Sequence, residues 1–131
     1  MPNKATSELL DTDGLIRRLK KGAPLRLEKE TIRLPRFTEI REVDQSELGG
    51  KGKETLVIAR ARTATWALMP WPKRTAFGQK DAQAFLGMVA KIQEQNPQKP
   101  VKGYVLTSTA IKDEITSLLE AGGHLASAVA E

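Results

Sequence analysis

The run "ETLVIARARTATWAL" at residues 54–68 constrains the fold of this chain more than any other segment. It is rich in β-branched and aromatic residues, which favour strands. The preceding "ELGGKGK" carries two closely spaced glycine signals and predicts a turn, and "FTEIREVDQ" before it predicts another strand. Further upstream, "PLRLEKETIRLPRF" alternates apolar and polar residues with a phase shift at "EKE", which predicts one bulged strand or two short ones. We therefore expect a three-stranded meander.

Helical spacing of apolar residues marks three other segments. A short first helix is predicted where Leu15, Ile16 and Leu19 precede the stop at Gly22. The main helix is predicted at about 79–95, and "VKGYVLTS" at 101–108 reads as a short apolar strand. Ser108 or Thr109 is expected to cap a helix at about 109–121, and "HLASAVAE" is predicted to be a final strand or a loose tail.

These elements predict one α/β (α+β) domain over residues 1–131, with residues 1–7 flexible. Its central mixed sheet would combine the meander with the strand at 101–108, and helices would flank that sheet. The two prolines of "MPWPKR" predict an irregular segment. The expected core comprises Leu27, Ile40, Val57, Ile58, Phe85, Val89, Val105, Ile115 and Leu118.

The amino-acid composition limits the cellular environment and the partners that we expect for this protein. The chain contains no cysteine, which excludes disulfides and thiolate metal sites and fits a reducing compartment, so that we expect a soluble, cytoplasmic protein. No run approaches the roughly 18 apolar residues that span a bilayer, and no membrane partner is expected. A net charge of +5 makes a polyanion such as DNA or another nucleic acid a plausible partner.

The order of a helix, a meander, a helix, a buried "KGYVLTS" strand and a helix resembles the PD-(D/E)XK, or restriction-endonuclease-like, superfamily. In that superfamily an acid on the strand before the turn and a (D/E)-x-K motif on the next strand converge. The two carboxylates hold a divalent metal such as Mg²⁺, and the lysine helps to activate the attacking water. The resemblance extends over about residues 8–123 and implies a nuclease fold.

The resemblance implies Asp44, in "REVDQ", as the first acid and Glu42 as the better second metal ligand. The next strand departs from the motif, because "LVIARARTA" places Ala59 and Ala61, or Arg60 and Arg62, where the acid and lysine should lie. Arginines would repel a dication, so we expect an inactive site that holds no metal. The superfamily sometimes moves a catalytic residue onto the following helix, and Lys80 or Asp81 would be the migrated residue here.

The basic residues support a second interpretation. Arg60 and Arg62, two apart on the second strand of the hairpin, are expected to share one strand face, and two guanidinium groups so placed could bind phosphates. Other cations lie near them in the sequence: Lys51, Lys53, Lys73, Arg74 and Lys80. The alternative is a solvated or salt-bridged strand face that binds nothing.

Trp66 and Trp71 in "TWALMPWPKR" could form a partner-binding patch or could pack their segment onto the domain. A lone histidine, His124, is expected to be a surface residue. Three hypotheses follow: a nucleic-acid-binding domain with an inactive site, a Mg²⁺-dependent nuclease with a migrated site, and a protein-interaction module. The third would form a homo-oligomer through the Trp-Pro segment or through an edge strand.

Overall fold

The computed structural model describes residues 9–49, 55–72 and 76–130 and shows a mixed α/β architecture. Three α-helices are present in this part of the chain: α1 (Thr12–Lys21), α2 (Gln79–Gln95) and α3 (Asp113–Ala121). Two short strands, β1 (Leu25–Arg26) and β2 (Thr31–Ile32), form a separate antiparallel pair. The central sheet contains five strands: β3 (Phe37–Asp44), β4 (Thr55–Ala61), β5 (Thr65–Trp71), β6 (Val101–Thr107) and β7 (Leu125–Ala128).

The strand order in the central sheet is β3-β4-β5-β6-β7. The first three strands form an antiparallel meander, and β6 and β7 continue it in parallel after the crossover helices α2 and α3. This confirms the predicted mixed sheet built from a meander and a later strand. None of the described helices combines the length and apolar character that crossing a membrane requires.

The three strands of the meander are formed by different segments from those predicted. The segment 25–34 contributes the separate β1-β2 pair, and the predicted single strand at 54–68 is two strands. The break falls at residues 62–64, where the backbone N–H of Ala61 donates to the carbonyl of Ala64 over 2.9 Å and closes a tight turn. The sequence does not show where β4 ends and β5 begins. Both strands are buried on both faces, so the apolar pattern continues across the turn.

The segment "MPWPKR" is regular up to Trp71, which contradicts the prediction of an irregular segment. Pro70 pairs with Leu106 of β6 and is buried. On the other side, the ladder between β4 and β5 ends at the pair Val57 and Leu68. The missing N–H of Pro70 therefore removes no hydrogen bond from that ladder.

The sheet is covered on both faces. On the α1 face, Leu15 and Leu19 of α1 pack with strand residues such as Val57 and Leu68. On the α2 face, the side chains of α2 and α3 pack against the opposite set of strand residues, which includes Ile58 and Val105. Seven of the nine predicted core residues are buried, and Ile40 and Leu118 are partly buried.

Local signals fix the helix boundaries. Asp11 caps α1 by accepting a hydrogen bond from the N–H of Gly14 at 3.1 Å, and Gly22 ends the helix in the left-handed conformation. Helix α2 has the predicted bounds. Helix α3 begins at Asp113 rather than at residue 109, because Lys112 is its N-cap and Ser108 and Thr109 belong to the preceding bend.

His124 is buried, which contradicts the expectation of a surface residue. Its Nδ1 accepts a hydrogen bond from the backbone N–H of Gly103 at 2.9 Å. A side chain at Gly103 would meet the ring of Phe85 at 2.7 Å, so the strand, the phenyl ring and the imidazole are closely packed. Burial lowers the pKa of His124 from its ordinary value of 6.5.

This burial predicts a loss of stability on acidification. Because the folded state disfavours the imidazolium, the stabilising contribution of His124 is complete above its ordinary pKa of 6.5 and falls as the pH drops below that value. His124 is the only histidine in the chain, so a loss between pH 7 and pH 5 reports on it. Urea unfolding at several pH values measures the effect. A His124→Gln variant should lose this pH dependence, and an unchanged profile in that variant would contradict the assignment.

Candidate functional site

Asp44 is the last residue of β3 and is exposed. A 3-10 helix, Gln45–Leu48, follows it directly, and the N–H of Asp44 faces Oε2 of Glu47 at 3.4 Å. Asp44 lies opposite Thr55, at the end of the sheet where β5, β6 and β7 terminate. We call this end, defined by Asp44, Thr55, Trp71 and Thr107, the carboxyl end.

Glu42 and Asp44 share the α1 face of β3, because residues two apart point the same way and Val43 between them packs on the α2 face. Their partners on β4 are Val57 and Thr55. The neighbouring strand therefore offers no carboxylate and no lysine beside them. No group of three histidine, cysteine or acidic residues suited to a metal occurs within the described ranges.

Lys80 lies in the first turn of α2 and is exposed. This turn is at the carboxyl end, since α2 runs back along the sheet from the end of β5 to the start of β6. Asp81 is engaged in capping, because its Oδ2 accepts the N–H of Gly78 at 2.9 Å. The structure thus brings Lys80 to the same end as Asp44 but attaches it to the helix on the opposite face of the sheet.

Arg60 and Arg62 lie at the other end of the sheet. Arg60 pairs with Glu39 across the β3-β4 ladder, and its Nε lies 3.5 Å from Oε1 of that carboxylate. The pairs Glu39–Arg60 and Asp44–Thr55 are five residues apart along β3, or about 17 Å at roughly 3.4 Å per residue. These arginines and Asp44 therefore do not converge in one pocket.

The prediction that Arg60 and Arg62 share one strand is wrong. Arg62 lies beyond the end of β4, exposed in the bend that leads to β5, whereas Arg60 is a strand residue on the α2 face. Partial burial and the ion pair with Glu39 reduce the capacity of Arg60 to bind a phosphate. The remaining predicted cations, Lys51, Lys53, Lys73 and Arg74, lie outside the described residues. Residues 1–7, for which flexibility is predicted, and most of the glycine turn also lie outside them.

Trp66 and Trp71 are buried in β5, each with 5% of its surface exposed. Trp66 stacks on Tyr104 on the α1 face, at 4.6 Å between ring centroids. Trp71 meets Phe77 edge-on at 5.1 Å on the α2 face. Of the two interpretations of these indoles, packing onto the domain is confirmed and the partner-binding patch is wrong, because the two rings belong to the two halves of the core.

The positive charge of the chain is concentrated in a segment that the sequence interpretation treated only as helix and strand. Residues 14–36 contain eight basic and two acidic residues, a net charge of +6, whereas the whole chain carries +5. The remainder of the chain is therefore slightly acidic. Counting charge by segment, rather than searching for pairs of arginines near the presumed site, would have found this region from the sequence alone.

The fold gathers this charge on the α1 face. Leu15 and Leu19 of α1 are buried against the sheet, which leaves Arg17, Lys20 and Lys21 exposed. At the other end of the segment, exposed Arg33 and Arg36 precede β3. We call the exposed cations of residues 14–36, apart from Lys29 with its ion pair to Glu120, the basic surface; its members are Arg17, Lys20, Lys21, Arg26, Arg33 and Arg36.

A cleft of about 430 Å³ lies within the basic surface. Its apolar lining comes from the end of α1 and from the start of β3, and its cations are Lys20, Lys21 and Arg36. No acidic residue lines it. The complete lining is Leu19, Lys20, Lys21, Gly22, Leu34, Pro35, Arg36, Phe37 and Ile40.

Some cations of this segment have structural partners. Arg18 donates from Nη1 to the carbonyl of Pro24 at 3.0 Å, and Lys29 pairs with Glu120 at 3.5 Å. Lys20 and Lys21 occupy the last turn of α1, where positive charge also offsets the helix dipole. That role accounts for the two lysines, but it does not account for Arg33 and Arg36, which lie outside any helix.

Comparisons of the chain with protein-family models, with curated proteins and with solved structures found no significant match to any of them.

Proposed function

We propose that this protein binds nucleic acid through its basic surface and does not hydrolyse it. The observation that carries the proposal is the segregation of charge, since the net +6 of residues 14–36 exceeds the charge of the entire chain. Clustered lysine and arginine side chains attract phosphate backbones because each contact releases condensed counterions. The resemblance to the restriction-endonuclease-like superfamily supports the proposal through the order of its elements.

The geometry of the basic surface suits a phosphate backbone better than a compact anion. Lys20, Lys21 and Arg36 line one cleft at the start of β3, whereas the carbonyl of Arg26 accepts the N–H of Ala130 beyond β7, at the other side of the sheet. The charge is therefore spread across the sheet, as contacts to several phosphates require. The cleft adds apolar surface from Leu34, Phe37 and Ile40 beside Lys20 and Arg36. Such a combination favours backbone binding with slight sequence preference, because sequence is read mainly by polar contacts to base edges.

Fluorescence anisotropy with labelled single-stranded and duplex DNA tests the proposal. We expect binding at micromolar protein and about 50 mM salt that weakens steeply as salt rises, with a slope of about 0.9 per phosphate contact on duplex DNA. Inclusion of an RNA of the same sequence would define the preferred polymer. Absence of binding at low salt would remove the proposal.

A metal-dependent nuclease is the second candidate, and one observation favours it. Glu42 and Asp44 are exposed on the same face of β3 at the carboxyl end, so two carboxylates are available to a hard cation such as Mg²⁺. Against it, β4 presents Thr55 and Val57 beside them, and Asp81 is engaged with Gly78. The non-hydrolytic proposal is therefore preferred.

A further inference from the structure

Within the described residues, β3 is an edge strand of the central sheet. No strand in the described part of the chain pairs with the outer side of β3. The end of the opposite edge strand, β7, is covered by the segment after β1, because the N–H of Glu28 donates to the carbonyl of Ala128 at 2.9 Å and the N–H of Ala130 donates to that of Arg26 at 2.9 Å. An additional strand can therefore join the described sheet beside β3 but not beside the end of β7.

A second copy of the same strand could occupy this edge only in certain registers. In an antiparallel pair, residues that face each other both direct their backbone groups toward the partner or both direct them away. Along one strand these orientations alternate. In a symmetric pair of identical strands, a residue must therefore lie opposite its own copy, with the two-fold axis midway between them. For the sequence "FTEIREVD" this leaves a small number of registers to compare.

These registers differ in the charges of the residues that would face each other. An axis at Glu39 places Glu39 opposite its copy, and an axis at Arg41 or Glu42 likewise opposes identical charges. An axis at Ile40 instead pairs Ile40 with its copy and pairs Glu39 with the Arg41 of the other copy on both sides. Opposite charges directly across a ladder stabilise it, whereas like charges destabilise it.

The side chains needed for this register are available. Glu39 and Arg41 are exposed and lie on the α2 face, because they alternate with half-buried Ile40, which packs on the α1 face. Glu39 already faces Arg60 on β4, so in the assembly its carboxylate would lie between two guanidinium groups on adjacent strands. The register shift between Phe37 and Glu39 confines regular pairing to a short central section.

We propose that two copies of this chain associate through their β3 edges in an antiparallel arrangement, with the two-fold axis at Ile40 and reciprocal Glu39–Arg41 pairs. The product is a continuous ten-stranded sheet, twice the five strands of one copy. Because the contact is isologous and the β7 end is blocked, association closes at two copies and does not form a filament. The short ladder implies a weak, concentration-dependent dimer.

This inference and the proposed function share Ile40, which lines the cleft and lies at the two-fold axis, but they rest on charged residues of opposite sheet faces. The reciprocal ion pairs lie on the α2 face, whereas the cleft with Lys20, Lys21 and Arg36 opens on the α1 side of the sheet. Variants of Arg41 therefore test dimerisation, and variants of Lys20 test nucleic-acid binding. Failure of either proposal leaves the other measurable.

A charge-complementation experiment tests the register. In Arg41→Glu the paired positions are both acidic, and in Glu39→Arg both are basic, so each variant alone should self-associate at least about tenfold more weakly than the wild type. An equimolar mixture of the two variants restores opposite charges at both pairs. We therefore expect the mixture to form heterodimers, measured by sedimentation equilibrium and by energy transfer between differently labelled variants.

Matched variants on α2 provide the control. Lys91→Glu and Glu94→Arg make the same charge changes at exposed positions away from β3, and they should leave association unchanged. Circular dichroism verifies that every variant is folded at the assay temperature. A monomeric wild type at about millimolar protein, equal association of the β3 and α2 variants, or a mixture that associates no better than its components would each overturn the proposal.

Discussion

Replacing Lys20 and Lys21 with glutamine is expected to weaken nucleic-acid binding by about 100-fold at 50 mM salt and to reduce the salt slope by about 2. Both side chains are exposed at the end of α1 and line the cationic cleft. Adding Arg36→Gln should reduce the slope by about one further unit, because it removes the third cation of the cleft. Anisotropy titrations over a range of salt concentrations give both quantities.

A variant with the same loss of charge elsewhere controls for nonspecific electrostatics. Lys91 and Lys112 are exposed on α2 and just before α3, and their double replacement by glutamine should change affinity by less than about threefold. Thermal unfolding of each variant is needed as well, since Lys20 and Lys21 lie where cations stabilise a helix by about 0.3–1 kcal/mol each. Equal weakening by both double variants would show that net charge, and not the basic surface, governs binding.

The arginine pair provides a direct comparison within the same titration. If binding used the β4 end of the sheet, Arg60→Ala with Arg62→Ala would weaken it as strongly as the lysine variant. The structure leads us to expect a smaller effect, because Arg60 is paired with Glu39 and Arg62 projects from a separate bend. A dominant effect of the arginines would transfer the proposed interface to that end.

The architecture could be predicted from the sequence where local patterns were strong. Helix α2 was placed correctly because Phe85, Met88 and Ile92 repeat at helical spacing. The apolar run at 101–108 predicts a strand, and β6 occupies all of it except the last residue. The start of α3 could not be predicted in the same way. Ser108 and Thr109 are favourable capping residues, but they lie in a bend, and capping propensity alone does not show which nearby residue begins the helix.

The candidate site was less predictable because it depends on register and on faces. A spacing of two suggested that Arg60 and Arg62 share a strand face, but the turn at 62–64 ends β4 between them. The buried state of His124 depends on Gly103, 21 residues away in the chain, which no local pattern reveals. By contrast, the charge of residues 14–36 is a property of the sequence, and only its collection on one face required the fold.

The sheet register also bears on catalysis, because it defines the surroundings of Asp44. Glu42 and Asp44 can supply two carboxylates from one strand, while the facing residues are Val57 and Thr55. A dication in such a site would lack the second strand's ligand, and an attacking water would lack the lysine that the resembled family provides. Lys80 belongs to the helix on the other face of the sheet and does not replace it.

We therefore expect no efficient cleavage of DNA with Mg²⁺ or Mn²⁺. Each loss of about 1.4 kcal/mol in transition-state stabilisation lowers the rate tenfold, so the absence of a metal ligand and of the water-activating lysine together should reduce cleavage by several orders of magnitude. Plasmid nicking measures this directly: supercoiled DNA should persist with either metal, at the same level as with an Asp44→Ala variant purified in parallel. Metal-dependent nicking that is lost in Asp44→Ala would identify Asp44 as a working ligand and would favour the nuclease over the binding domain.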